Sequence, residues 1–181
     1  RALEKEPAHE ATLAALVALG GQRGDWKMVV EAKRGQVERA PDPMKAKLLD
    51  EIGDIQRGKL KDAAAAIGAY LEAQRLAPGG HALLHKLLEA YGEQKQWRRA
   101  VETLDQLAGE DPASDRRARY QYTAAVIARD ELGDADLAVE RFSAALDEAP
   151  GTPKAFEAID KLLAERKDWK ALARAYRKHL K

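Results

Sequence analysis

Residues 138–150, AVERFSAALDEAP, carry the pattern on which the fold turns. Ala138, Phe142 and Ala145 step by four and three, and Pro150 follows five residues later. Such offsets place all three side chains on one face of an α-helix. The small residues let a neighbouring backbone approach, and the large one between them fills the gap. Proline then ends the helix, because it has no N–H to donate and crowds the preceding turn.

The same steps recur upstream in Ala66, Tyr70, Ala73, Pro78 and in Ala100, Leu104, Leu107, Pro112, and Leu172, Tyr176 and His179 continue the phase. One segment departs: before Pro41, Lys33 and Gln36 stand where the large and small apolar residues belong. Pro7, Pro41, Pro78, Pro112 and Pro150 are separated by 34, 37, 34 and 38 residues, and Trp26, Trp97 and Trp169 by 71 and 72. Two helix pairs therefore make a super-repeat, in which the extra three or four residues add one turn without rotating the buried face.

First helices carry the matching stripe in Leu13, Leu16, Val17; Leu84, Leu87, Leu88, Tyr91; and Phe156, Ile159, Leu162, Leu163. Asp25 and Asp168 read as N-caps ahead of tryptophan. Asp42-Pro43 and Thr152-Pro153 read as a cap followed by proline at the first helical position. Gly20, Gly24, Gly79, Gly133 and Gly151 read as turns. These signals predict helices over 8–20, 25–40, 43–58, 62–76, 81–94, 96–109, 114–132, 134–148, 153–166 and 168–180. The connections are so short that neighbours must run antiparallel.

A small–large–small–proline pattern at this period resembles the tetratricopeptide repeat. The likeness covers nearly the whole chain and is strongest over 119–150, where Gly133, Ala138, Phe142, Ala145 and Pro150 fill the family's positions; Gly53 lies near its first-helix glycine. The resemblance implies an all-α, right-handed superhelical solenoid of about five antiparallel pairs. It would form one domain over 1–181, with 1–6 as the tail of a preceding helix and units at about 8–41, 42–78, 79–112, 113–150 and 151–181. Trp26, Trp97 and Trp169 share a phase and are expected to fill one recurring gap in the core. Read this way, the chain is a fragment of a longer array, and its apolar ends would favour end-to-end self-association.

The inventory for chemistry is thin. Lys plus Arg (31) and Asp plus Glu (30) nearly cancel, which disfavours a nucleic-acid grip. The interleaved Arg116, Arg117, Arg119, Tyr120 and Tyr122 read instead as an exposed helical first turn, with Tyr122 turned into the core. Cysteine is absent, so thiolate metal sites and cysteine nucleophiles are excluded, while the compartment stays open. No membrane span is expected, because the longest apolar run, Leu13 to Leu19, is far too short. His81, His85 and Glu89 share a helix face and make a weak metal candidate, since a site needs a further ligand from elsewhere. Gly20-Gly21-Gln22-Arg23-Gly24 lacks the lysine of a phosphate loop and reads as a turn. No cofactor and no catalytic group is expected.

The expected function is protein binding. The resemblance implies groove contacts from defined first-helix positions: Ala14 and Ala18; Asp50, Asp54 and Arg57; His85 and Glu89; Thr123; and Glu157 and Lys161. Members that clamp a chaperone's C-terminal carboxylate pair Asn with Lys on this wall, and this chain has no asparagine. Two rival readings are a spacer or self-associating scaffold, and the regulatory arm of an enzyme whose catalytic domain lies elsewhere.

Overall fold

A computed structural model describes residues 10–179. Pro7, the expected helical tail at 1–6, and Leu180 and Lys181 lie outside the described residues. Those described form ten helices: α1 (Glu10–Arg23), α2 (Trp26–Val37), α3 (Asp42–Gly58), α4 (Ala63–Leu76), α5 (His81–Glu93), α6 (Trp97–Glu110), α7 (Ser114–Asp130), α8 (Ala135–Glu148), α9 (Pro153–Glu165) and α10 (Trp169–His179). The chain divides into two compact units, Arg1–Gln94 and Lys95–Lys181.

Each helix pair is closed by the same turn. The residue before the second helix's cap is left-handed at Gly24 (φ 69°), Lys61 (57°), Lys95 (52°), Gly133 (63°) and Lys167 (55°). The cap follows at once. Carboxylates of Asp25, Asp62, Asp134 and Asp168 accept from the N–H groups of Met28, Ala65, Leu137 and Ala171 at 2.9 to 3.1 Å. The backbone N–H of each of these aspartates donates back to the first helix, to Gly20, Gln56, Ala128 and Leu163. Two orphan donors of the helix start are thereby satisfied and the reversal is fixed.

Asp25 and Asp168 thus cap as the sequence suggests, and Asp62 and Asp134 join them. The two Asx/Thr–Pro starts differ from expectation. Asp42 is already helical behind Pro41 and makes no cap bond. Thr152 does stand at the N-cap of α9 ahead of Pro153, as read, but its hydroxyl donates backwards to the Ala149 carbonyl at 2.9 Å and makes no cap bond.

In the first unit the second-helix pattern is buried as read: Ala66 and Ala73 flank Tyr70, which is 1% exposed. Leu49, Ile52, Leu84 and Leu87 of the first helices are buried as well. Gly53 explains how a tyrosine fits there, since a Cβ at 53 would lie 2.2 Å from Tyr70 Cε1. Gly53→Ala should therefore lower stability by about 1–3 kcal/mol, the usual cost of overpacking, even though alanine is about 1 kcal/mol better in a helix. Thermal melting checks this, and an unchanged midpoint would mean the ring can turn aside.

Lys33 shows how a charged residue occupies a core position. Its stem runs inward, the side chain being 13% exposed, and Nζ reaches Glu51 Oε2 at 2.5 Å. A lysine can bury its methylenes this way while keeping its head paired near the surface.

The glycine-rich stretch after Leu19 is not a turn throughout. α1 continues through Arg23, and only Gly24 is left-handed. Gly20 is helical and buried because α2 crosses it closely, with Val29 Cγ2 2.7 Å from where a Cβ would stand. At its other end α2 stops at Val37, three residues short of the expected limit, in a turn where the Glu38 N–H donates to the carbonyls of Arg34 and Gln36.

In the second unit Phe142 is fully buried among Ala125, Ala128, Ala138, Leu146, Ala155, Ile159 and Leu163. Tyr122 meets it edge-on at 5.3 Å, the inward placement the sequence suggests. The tryptophans correct the expectation of a common core role. Trp26 and Trp97 are half-buried and Trp169 is 61% exposed. Trp26 is covered by Lys59, whose Nζ lies 5.2 Å from the ring centroid, so a cation rather than an apolar pocket completes its surroundings.

Candidate functional site

The first helices α3 and α5 of the first unit carry an ordered lattice of charge over the Tyr70 core. Lys86 Nζ bridges Asp50 Oδ1 at 2.6 Å and Asp54 Oδ2 at 2.8 Å. The remaining oxygen of Asp54 accepts from the Tyr70 hydroxyl at 2.9 Å. One turn further along α3, Arg57 donates from Nε to Glu93 at 2.8 Å and pairs with Glu89 through a second guanidinium nitrogen.

Burial alone would lower the Lys86 pKa, but its two carboxylate partners outweigh that and hold it above the ordinary lysine value. Arg57 is raised chiefly by its bond to Glu93. Desolvation and the bond to Asp54 push the Tyr70 hydroxyl above its usual range. All three groups therefore keep their protons throughout the physiological range.

Of the residues singled out from sequence, the structure brings together Asp50, Asp54, Arg57 and Glu89. Asp54, His85 and Glu89 are exposed, while Asp50 and Arg57 are half-buried. Ala14 and Ala18 on α1 are exposed as well. In the second unit Thr123, Glu157 and Lys161 are exposed on α7 and α9. Lys161 reaches only Glu165, at 4.0 Å, and the Thr123 hydroxyl donates to the Arg119 carbonyl.

Sequence reasoning missed Lys86 and Glu93, which tie the candidates together. It also missed Asp160, which accepts from Tyr176 at 2.8 Å as Asp54 does from Tyr70. A signal for that exists. Sixteen residues before each large second-helix residue stands Asp54 for Tyr70 and Asp160 for Tyr176, but Val126 for Phe142, Leu88 for Leu104 and Val17 for Lys33. The carboxylate accompanies the hydroxyl and is absent without it.

Glu89, the third member of the metal candidate with His81 and His85, is committed to Arg57. Among the described residues no group of three or more His, Asp and Glu gathers to hold a metal ion. Two arginines of the basic run of α7 are likewise engaged. Arg116 pairs with Asp111 at 2.6 Å, and Arg117 pairs with Glu148 and donates to the carbonyls of Asp111 and Pro112.

A cleft recurs at one register of the repeat in both units. One, of about 540 Å³, is lined by Glu10, Leu13, Ala40, Pro41, Met44 and Leu48. The other, of about 530 Å³, is lined by Arg119, Tyr122, Thr123, Ala149 and Lys154 among others. Glu10, Leu13 and Ala40 correspond to Arg119, Tyr122 and Ala149, each 109 residues on. Each cleft combines apolar lining residues with charges of both signs, Glu10 and Arg39 in the first and Asp115, Arg119 and Lys154 in the second. Among the described residues no helix is long and apolar enough to cross a membrane.

No protein-family model matches the sequence, and no curated protein matches it. Solved structures do. A crystal structure of MamA protein superposes with a TM-score of 0.55 at 16% identity, covering 94% of this chain and 90% of that one. MamA from Desulfovibrio magneticus gives 0.53 at 16%, covering 94% and 93%. A tetratricopeptide repeat protein from Parabacteroides merdae gives 0.56 at 17%, covering 94% of this chain and 65% of that one. The chain has a tetratricopeptide-like, all-helical repeat fold.

Proposed function

We propose that the chain is a protein-binding module, composed of the five units the sequence suggests, whose ligand lies against the first helices. The supporting observation is the charge lattice of α3 and α5. Asp50, Asp54, Arg57 and Glu89 are held in fixed positions by Lys86, Tyr70 and Glu93, above a closed apolar core. Side chains already ordered lose less entropy when a partner binds, so the surface is preorganised. Fixed charge of both signs selects a complementary segment, and the cleft of the same unit at Leu13, Met44 and Leu48 can take an apolar anchor. His85, and in the second unit Thr123, Glu157 and Lys161, extend the set of candidate contacts. The ligand is a peptide or a protein segment of mixed charge.

Charge reversal at Asp54 would also remove the acceptor of a buried tyrosine, so it confounds binding with folding. Arg57→Glu is cleaner, because its partners Glu89 and Glu93 are 60% and 47% exposed, and such pairs contribute about 0–1 kcal/mol. Partners captured from a lysate of the source organism by the wild type should be recovered at least about tenfold less by Arg57→Glu, with the melting midpoint nearly unchanged. Equal recovery by both proteins would remove this surface from consideration.

A further inference from the structure

A cleft of about 460 Å³ lies among α6, α7 and α8 of the second unit, bordered by Asp105 and Ala108, by Arg117 and Gln121, and by Arg141 and Glu148. The first unit shows what the repeat otherwise puts there. Trp26 and Trp97 set α2 against α6 at an offset of 71, and the caps Asp62 and Asp134 set α3 and α4 against α7 and α8 at 72. At the matching places stand Val37, Leu49, Ala69 and Leu76, which belong to one apolar cluster in which Leu49 is 1% exposed. The second unit has Ala108 for Val37, Gln121 for Leu49, Arg141 for Ala69 and Glu148 for Leu76. Folding does not require this exchange. Apolar packing closes the same place in the first unit, and buried polar groups cost free energy unless they are paired.

Here the pairing is incomplete. Arg141 Nη2 meets Asp105 Oδ2 at 2.9 Å, Gln121 is hydrogen-bonded to Asp105, and Arg117 pairs with Glu148 at 2.5 Å. Three side-chain atoms, Asp105 Oδ1, Gln121 Oε1 and Arg141 Nε, are shut off from solvent and have no protein partner. Their residues are only half-buried and line the cleft, so a turn about the outer side-chain bonds brings each atom to face it. Two of the atoms are acceptors and one is a donor. The two arginines and two carboxylates cancel, which favours a neutral ligand over an ion of either sign.

We propose that this cleft binds a primary carboxamide, whose NH2 group donates to Asp105 Oδ1 and Gln121 Oε1 and whose carbonyl accepts from Arg141 Nε. The group is neutral and supplies the two donors and one acceptor that these atoms lack. A carboxylate has no N–H to offer. An ammonium has no acceptor and would approach two arginines. The volume lies in the range of small-molecule sites, so it admits a free small amide or the side chain of a partner's glutamine or asparagine. The site is separate from the charge lattice of the first unit.

The probes are propionamide and the peptide acetyl-Ala-Ala-Gln-Ala-Ala-N-methylamide, in which only the glutamine carries a primary carboxamide. NMR titration of the isotope-labelled protein should show saturable shifts confined to α6, α7 and α8 around the cleft. N,N-dimethylpropionamide, which has no N–H, and propionate should each bind at least about tenfold more weakly, because buried acceptors are then left without donors. Gln121→Leu and Arg141→Ala install the residues that the first unit carries at these places, and each should weaken propionamide about tenfold. If either variant does not fold, the dimethyl control against wild type still decides. Tighter binding of propionamide than of the peptide assigns the site to a free amide, and the reverse assigns it to a partner chain; either supports the proposal. Equal shifts with propionamide and its dimethyl form, binding that survives both substitutions, or no saturable shift from either probe overturns it.

Discussion

Phe142→Ala is expected to lower folding stability by about 3–5 kcal/mol, the range for truncating a buried aromatic residue. The ring is fully buried, touches Tyr122 edge-on, and lies in one cluster with residues of α7, α8 and α9. Four of these neighbours, Ala125, Ala128, Ala138 and Ala155, have short side chains that cannot swing in to refill the space. A site that cannot collapse retains its cavity, so the cost should fall toward the upper end. Urea unfolding of the wild type and variant measures it. A loss below about 1 kcal/mol, typical of surface substitutions, would mean that Phe142 is not the keystone of the second unit.

Tyr70→Ala should cost about as much, again about 3–5 kcal/mol, for two separable reasons. The ring occupies the space left by Gly53, and its hydroxyl binds a carboxylate that also anchors Lys86. Tyr70→Phe separates the two, since it keeps the ring and removes the bond. A hydrogen bond to a charged group contributes about 1.5–3 kcal/mol, and Asp54 is half open to water, so the loss should lie near the lower figure. Melting of both variants checks the division. If Tyr70→Phe costs as much as Tyr70→Ala, the hydroxyl rather than the ring holds the first unit together.

The periodic elements were legible because burial repeats with the helix. Ala66, Tyr70, Ala73, Ala138, Phe142 and Ala145 are all buried as the spacing predicts. Where the reading failed, competing interactions decided. Gly20 looked like a turn residue because glycine serves both turns and close helix crossings, and only the position of Val29 distinguishes them. The tryptophans looked like core because they share a phase. Phase fixes direction, however, and not what lies opposite, which at Trp26 is Lys59.

The candidate site was legible residue by residue and not as a network. Asp50, Asp54, Arg57 and Glu89 follow from helical position alone. Their mutual pairing depends on Lys86 and Glu93, contributed thirty-two to thirty-six residues later in the chain, which no single-helix pattern reveals. The coupling of Asp54 to Tyr70 was available in the sixteen-residue spacing, because aspartate appears only where the large residue carries a hydroxyl.

That coupling bears on how such a surface can diversify. Arg57 pairs with Glu89 and Glu93 near the surface and none of the three holds a buried hydroxyl, so they can be exchanged as partners change. Asp54 cannot, because its replacement leaves the Tyr70 hydroxyl buried without an acceptor. A lineage that loses this aspartate must trade the tyrosine for phenylalanine or leucine in nearly the same step, as the pairs Val126 with Phe142 and Leu88 with Leu104 already exemplify within this chain. The repeat therefore contains two kinds of surface position, some free to vary and some that move only together with the interior. An engineer grafting a new specificity onto this scaffold would carry Tyr70 along with Asp54, and leave the rest of the core alone.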